Sequence, residues 1–210
     1  MQFTEVKRLI NLSAYEDELY GCGFEKIAGV DEVGRGSLAG PIVAAAVIFE
    51  RKNLFIEGLN DSKKIPGLTR EKLFRKIISG CRCWSVAKVS SGVIDRISLG
   101  NANILVIKKA ISRLRMKPDI VITDAIDLKL EKLNIKVLPI INGDQLSASI
   151  AAASIIAKVI RDKLMIKLSR YYPEFGFHEN KGYGTKKHIL NLQKYGPCDV
   201  HRISFRNVLN

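Results

Sequence analysis

The acidic residues best placed for chemistry stand at the ends of apolar runs. Asp31 and Glu32 close such a run in "AGVDEVGRGSLAG" (residues 28–40), Asp124 follows "DIVIT", and Asp144 follows "IKVLPIING". In an α/β sheet the crevice beyond the carboxyl ends of the strands is the usual site position, so Asp31, Asp124 and Asp144 are expected to converge there. Converging carboxylates repel one another, and such a cluster persists by binding a cation or by protonating one member. Oxygen donors with no histidine beside them in sequence suit hard ions, Mg²⁺ or Mn²⁺, and not zinc. Two such ions suit phosphodiester hydrolysis, one lowering the pKa of a water and the other stabilising the leaving oxygen. Glu32 presents a geometric difficulty, because successive strand residues point to opposite faces; a bend or bulge at Gly34 is the expected remedy. The turn Gly34-Arg35-Gly36 is no dinucleotide fingerprint, since the next glycine, Gly40, comes one residue late and no helix follows. Its glycines let backbone groups approach a sugar and phosphate closely, with Arg35 between them for the phosphate.

Positioning those acids requires strands that end beside them. Residues 27–33 and 41–49 read as short buried strands joined by the glycine-rich turn, and adjacency through so short a turn makes part of the sheet antiparallel. A helix is expected over 69–80, with Thr69 as N-cap and Gly80 as its stop, then a strand near 84–89. "NANILVIKKAISRLRMKP" places Ile104, Ile107, Ile111 and Leu114 on one helical face and stops before Pro118. "DIVITD" and "IKVLPI" are the next strands, "SASIAAASIIAKVIRDKLMIKLSR" is a long helix with a deeply packed first half, and "TKKHILNLQKYG" is a last helix capped by Thr185. Strands interleaved with helices define an α/β class with a mixed central sheet. Without repeats or linkers, residues 1–210 are expected to form one domain, with 1–26 as an N-terminal helical extension and 196–210 as a tail.

Lysine and arginine number 34 against 21 acids, a net charge of +13, which favours a polyanionic partner. No run of 18 or more apolar residues occurs and the N-terminus lacks the apolar core of a signal peptide, so a soluble cytoplasmic protein with no membrane partner is expected. The four cysteines show no paired spacing and read as reduced thiols. Lys158, Arg161 and Lys163 on the long helix read either as a duplex path or as its wet face, and Asp162 as a surface partner of Lys158. With ions to activate water, none of His178, His188 and His201 is expected to serve as an essential base. Tyr20, Tyr171, Tyr172 and Tyr195 read as packing or rim residues. These residues alone leave open a catalytically silent nucleic-acid-binding module and a DNA-cutting nuclease on a similar fold.

From Ile27 to Phe205 the chain resembles the type 2 ribonucleases H, specifically bacterial ribonuclease HII. The resemblance is carried in order by "AGVDEVGRGSLAGPIVAAAVIF", "LNDSKKI", "ITDAIDL", "NGDQLSASIAAASIIAKVIRDKLM", "YPEFGFHENKGYGTKKH" and "HRISF". It implies an RNase H-like fold with a C-terminal helical portion. It also implies hydrolysis of RNA in RNA–DNA hybrids and cutting 5′ of single ribonucleotides in duplex DNA, leaving 3′-hydroxyl and 5′-phosphate ends. The implied four-carboxylate site is Asp31, Glu32, Asp124 and Asp144. Gly34-Arg35-Gly36 matches the element that senses the ribose 2′-OH through its backbone, Tyr183 the tyrosine that stacks on the next sugar, and Ser62 and Lys63 the phosphate contacts. A monomer is implied. The sequence departs from the family pattern at Ser37, often proline there, and at Ala125, often glycine. It carries little beyond "HRISF", which bears on duplex affinity and not on chemistry.

Overall fold

The computed structural model describes residues 1–209 apart from 61, 63, 64 and 131–133. The N-terminal helical extension is two helices, α1 (Phe3–Leu12) and α2 (Ala14–Gly21). Strand β1 (Ile27–Val33) runs antiparallel to β2 (Ile42–Phe49), and β2 antiparallel to β3 (Cys81–Val89). On the other side β1 pairs in parallel with β4 (Ile120–Asp124), and β4 in parallel with β5 (Lys136–Ile140). Among the described residues this gives one mixed sheet in the order β3-β2-β1-β4-β5, the antiparallel portion falling where the short 34–41 connection required it.

The helices between strands are α3 (Gly67–Gly80), α4 (Ser91–Ile97) and α5 (Leu99–Ser112). After β5 come α6 (Gly143–Leu146), α7 (Ala148–Leu168), α8 (Phe177–Asn180) and α9 (Lys186–Tyr195). Three boundaries differ from expectation. Thr69 lies inside α3 and does not cap it, because Pro66, with its ring-fixed φ of −57°, starts the helix earlier. Residues 91–97 form a helix of their own, separated from α5 by Ser98 at φ +73°. And α5 ends at Ser112, five residues before the expected stop.

Every residue of β2 is buried, and the period of two divides its side chains between two cores. Val43, Ala45 and Val47 pack with α7 and with Leu73 and Ile77 of α3, whereas Ala44, Ala46 and Ile48 pack with Val106, Ile107 and Ala110 of α5. The alanine-rich first half of α7 lies so close to β1 that a Cβ at Gly29 would sit 2.2 Å from the carbonyl carbon of Ser149. The start of α7 is anchored by Ser147, whose hydroxyl caps Ile150 N–H, and by the fully buried Glu16 of α2. A Glu16 oxygen accepts from the Ser147 hydroxyl at 2.6 Å and from Ser149 N–H at 2.8 Å, and burial raises its pKa. An acid at a helix N-terminus meets both the unpaired N–H groups and the positive end of the helix dipole.

Candidate active site

Asp31 and Glu32 lie in β1 with regular pairing, Asp31 opposite Ala45, Glu32 opposite Ala44 and Val33 opposite Val43. The strand therefore does not bulge to bring them to one face. Asp31 falls on the α7 side, where Ser154 hydrogen-bonds to it, and Glu32 on the α5 side, where Asn103 donates to it at 3.2 Å. Ser154 also meets the Ser62 hydroxyl at 2.8 Å, so Ser62, 3% exposed, stands behind Asp31 and not at the surface. Lys63 lies outside the described residues. Burial is the main reason that the Asp31 carboxyl is pushed well above the usual range, with the negative charges of Glu32 and Asp124 adding to it. Burial also raises Glu32, opposed by the Arg35 guanidinium and by Asn103, and Asp124 pushes the same way as burial.

Asp124 ends β4 beside β1, and its Oδ1 accepts from Gly143 N–H at 2.9 Å. That bond ties the start of α6 to the sheet edge, with Asn142 in the left-handed region at φ +57° to make the reversal, and it brings the buried Asp144 to the same edge. Ala125, immediately after Asp124, has φ +55°, which accounts for the resemblance's glycine at this position: an L side chain there carries strain. Asp31, Glu32 and Asp124 are thus coupled electrostatically. Yet among the described residues no three His, Cys, Asp or Glu side chains stand close enough together to hold a metal ion. By type and by mutual repulsion, buried carboxylates of this kind fit a hard divalent cation.

The 34–36 turn uses its two glycines differently. Gly34 has φ +94°, and a Cβ there would lie 2.2 Å from Arg161 Nε; its freedom serves packing against a buried side chain. Gly36 has nothing within 4 Å of a would-be Cβ and so leaves open space for a ligand. Arg35 is exposed, its guanidinium 3.5 Å from Glu32 Oε1. Tyr183 is 36% exposed and sits over two cations, Arg161 at 5.5 Å and Lys158 at 5.9 Å. Lys158 pairs with Asp162 at 2.7 Å, as its spacing implied, and Lys163 with Glu71. Arg161 is neither a duplex path nor a wet face, for it is completely buried.

Sequence reasoning missed Arg202, also completely buried, and the pairing of two histidines. His188 Nδ1 meets the carbonyl of Tyr183 at 2.9 Å, its Nε2 meets His201 Nε2 at 3.1 Å, and His201 Nδ1 accepts from Cys198 N–H at 3.0 Å. One proton pattern satisfies all three bonds with both rings neutral: His188 donates to Tyr183, and His201 donates to His188. Burial, and then the neighbouring His188, lowers His201 to about 4. Burial lowers His188 too. Between pH 6.5 and about 4 the unfolded chain therefore binds protons that the folded chain refuses, so stability should fall as pH drops through that window. The expected loss is on the order of 2–3 kcal/mol. Denaturant unfolding at pH 7 and pH 5 checks it, and a His201→Asn variant should show a shallower acid slope.

A mixed five-stranded sheet in this order, flanked by helices, is the arrangement of an RNase H-like fold. The ribonuclease HII family model matches residues 28–208. Ribonuclease HII of Caldicellulosiruptor bescii is 50% identical over 95% of this chain and 96% of its own. Among solved structures, ribonuclease H2 of Pyrococcus horikoshii superposes with a TM-score of 0.74 at 30% identity, covering 87% of this chain and 95% of that one. RNase HII of Archaeoglobus fulgidus, solved in complex with PCNA, gives a TM-score of 0.73 at 29% identity, covering 86% and 95%. The chain belongs to the ribonuclease HII family. It is a ribonuclease H.

Proposed function

We propose that this enzyme hydrolyses RNA in RNA–DNA hybrids and cuts on the 5′ side of single ribonucleotides embedded in duplex DNA, leaving 3′-hydroxyl and 5′-phosphate ends. The observation that carries this reading is the adjacency of Asp31, Glu32 and Asp124, each within electrostatic reach of the others, to a turn whose Gly36 faces open space. Asp31, Glu32, Asp124 and Asp144 would hold Mg²⁺ or Mn²⁺, two ions in the active complex. When bound, those ions supply an activated water and charge stabilisation of the leaving oxygen. The backbone of Gly34, Arg35 and Gly36 meets the ribose 2′-hydroxyl, the group by which a protein distinguishes RNA from DNA. Tyr183 offers its ring to the neighbouring sugar. Arg35 partly neutralises Glu32 in the free protein and is placed to turn to a phosphate when a cation takes over that role. Lys63 is the further phosphate contact, whereas Ser62 acts through Ser154 on Asp31.

No helix among the described residues is long and apolar enough to cross a membrane, and we place the enzyme in the cytoplasm as a monomer of one domain. The test is incubation with a duplex containing one ribonucleotide, with Mn²⁺ or Mg²⁺ and again with chelator. A single cut 5′ of the ribonucleotide, abolished by chelator, is expected. Binding without scission would favour a silent module, and cutting of the all-DNA duplex a DNA nuclease.

A further inference from the structure

Two buried arginines stand behind the substrate turn, and among the described residues no carboxylate is hydrogen-bonded to either. Arg202 donates to the carbonyls of Gly34 and Arg35, both at 2.7 Å, and twice to that of Gly40, at 2.9 and 3.1 Å. Arg161 donates to the carbonyls of Ala39, Pro41 and Lys181 at 3.2, 2.9 and 2.9 Å. Both side chains are 0% exposed. Burying a guanidinium is costly and is ordinarily offset by a hydrogen-bonded acid; here backbone carbonyls supply the hydrogen bonds, with the rings of Tyr183 and Phe205 and the more distant Asp162 and Asp95 adding to them. Burial lowers the pKa of each, Arg202 to about 9, and the repulsion of Arg161 adds to the shift in Arg202. An arrangement this expensive is hard to explain as packing, since apolar residues of similar volume commonly serve a core as well or better.

The geometry has a consequence for the turn. Six hydrogen bonds draw the carbonyls of residues 34, 35, 39, 40 and 41 inward, so the segment's conformation is set from inside the protein while the Gly36 side stays open. The same Arg161 bonds Lys181 and underlies the Tyr183 ring, and the 182 carbonyl accepts from Leu38 N–H at 2.8 Å. The turn and the tyrosine loop are thereby fastened to one guanidinium. Glycine at 34 follows from this, because any Cβ there collides with Arg161.

We propose that Arg161 and Arg202 are positioning residues for ribose recognition: they hold the 34–41 turn and Tyr183 in one fixed relation, and so set the discrimination between ribo- and deoxyribonucleotide. The inference rests on the proposed reading of the turn as the 2′-hydroxyl sensor. Lysine in place of arginine keeps the charge and loses the planar fork that reaches several carbonyls at once.

The experiment compares wild type with Arg202→Lys and Arg161→Lys, measuring affinity by fluorescence anisotropy in chelator for a one-ribonucleotide duplex and for the same duplex in all-DNA form. Steady-state cleavage with Mn²⁺ supplies KM and kcat. Each lysine variant is expected to bind the ribonucleotide duplex about tenfold more weakly and the all-DNA duplex within twofold of wild type, with the KM rise exceeding any kcat loss. Equal losses on both duplexes, no loss on either, or failure of both variants to fold would overturn the proposal in favour of a purely structural role. Because binding is read without turnover, a wild type that discriminates but does not cut would refute the proposed catalysis while leaving this inference standing.

Discussion

Asp31→Asn is expected to lower cleavage of a one-ribonucleotide duplex by on the order of 10³-fold or more, while raising the melting temperature of the metal-free protein. Both effects have one cause. Asp31 is 9% exposed, and burial together with the charges of Glu32 and Asp124 disfavours its ionised form. An amide of the same shape can turn its oxygen to Glu32 N–H, which now meets Asp31 Oδ1 at 2.7 Å, and donate its NH2 to the Ser154 hydroxyl, so both local partners are kept. What disappears is repulsion, and with it the negative charge that a divalent cation needs. Each kcal/mol of relief shifts the melting temperature of a chain this size by about 2–4 °C. Asp124→Asn should likewise abolish cutting. Its stability gain should be smaller, because its Oδ1 is committed to Gly143 N–H and an amide can keep that bond only by presenting its oxygen there. Parallel cleavage assays and thermal melts check the pair; a variant that cuts at near wild-type rate would refute the role given to its carboxylate.

Gly29→Ala is expected to be the more damaging change to the fold, although position 29 touches no substrate. A methyl group there would lie 2.2 Å from Ser149 C and 2.5 Å from Ser149 O, atoms of the α7 backbone that cannot rotate aside as a side chain can. Either α7 lifts from β1 or the strand moves, and overpacking of this kind costs roughly 1–3 kcal/mol, sometimes more. The consequence reaches the site, because α7 carries Ser154 and Arg161 and β1 carries Asp31 and Glu32. Denaturant unfolding should show the lower midpoint, and cleavage should fall even where the variant stays folded. Unchanged stability would mean that the close approach of α7 and β1 is looser than the structure has it. Gly36→Ala, by contrast, meets nothing within 4 Å and should leave stability untouched.

The strands were legible because apolar runs bounded by Gly, Pro and Asp are a local signal, and the five strands fall where those runs lie. The N-cap at Thr185 was legible for the same reason, its hydroxyl lying on the sequence beside the N–H of His188 that it caps. Asp124 was legible too, because it ends β4, whereas Asp31 lies two residues inside the end of β1 and Asp144 falls in α6 beyond β5. Glu32 was harder. Local periodicity correctly put it on the opposite face from Asp31, but the inferred bulge does not exist: pairing remains regular through Val33, and Glu32 meets Asp124 electrostatically from the α5 side.

The burial of Arg161, Arg202 and Glu16 was not legible at all. Arg161 sits four residues before Met165 and beside Asp162, a neighbourhood that reads as exposed helix, and Arg202 lies in a short tail. Only the tertiary meeting of α7, the 34–41 turn and the tail removes both from water. Glu16 is similar, an acid beside Asp17 and Glu18 in a short helix, whose burial depends on the start of α7, more than 130 residues away. Ser62 illustrates the converse, a polar residue in a basic loop that the fold turns inward to Ser154.

The most direct measurement is a calorimetric titration of Mn²⁺ into the substrate-free protein and into a variant carrying Asp31→Asn and Asp124→Asn together. The wild type should bind the ion with a heat that the double variant lacks, and a Mn²⁺-soaked crystal should place the ion among Asp31, Glu32, Asp124 and Asp144. Equal binding by both proteins, or an ion seated away from these four side chains, would contradict a catalytic centre built on them.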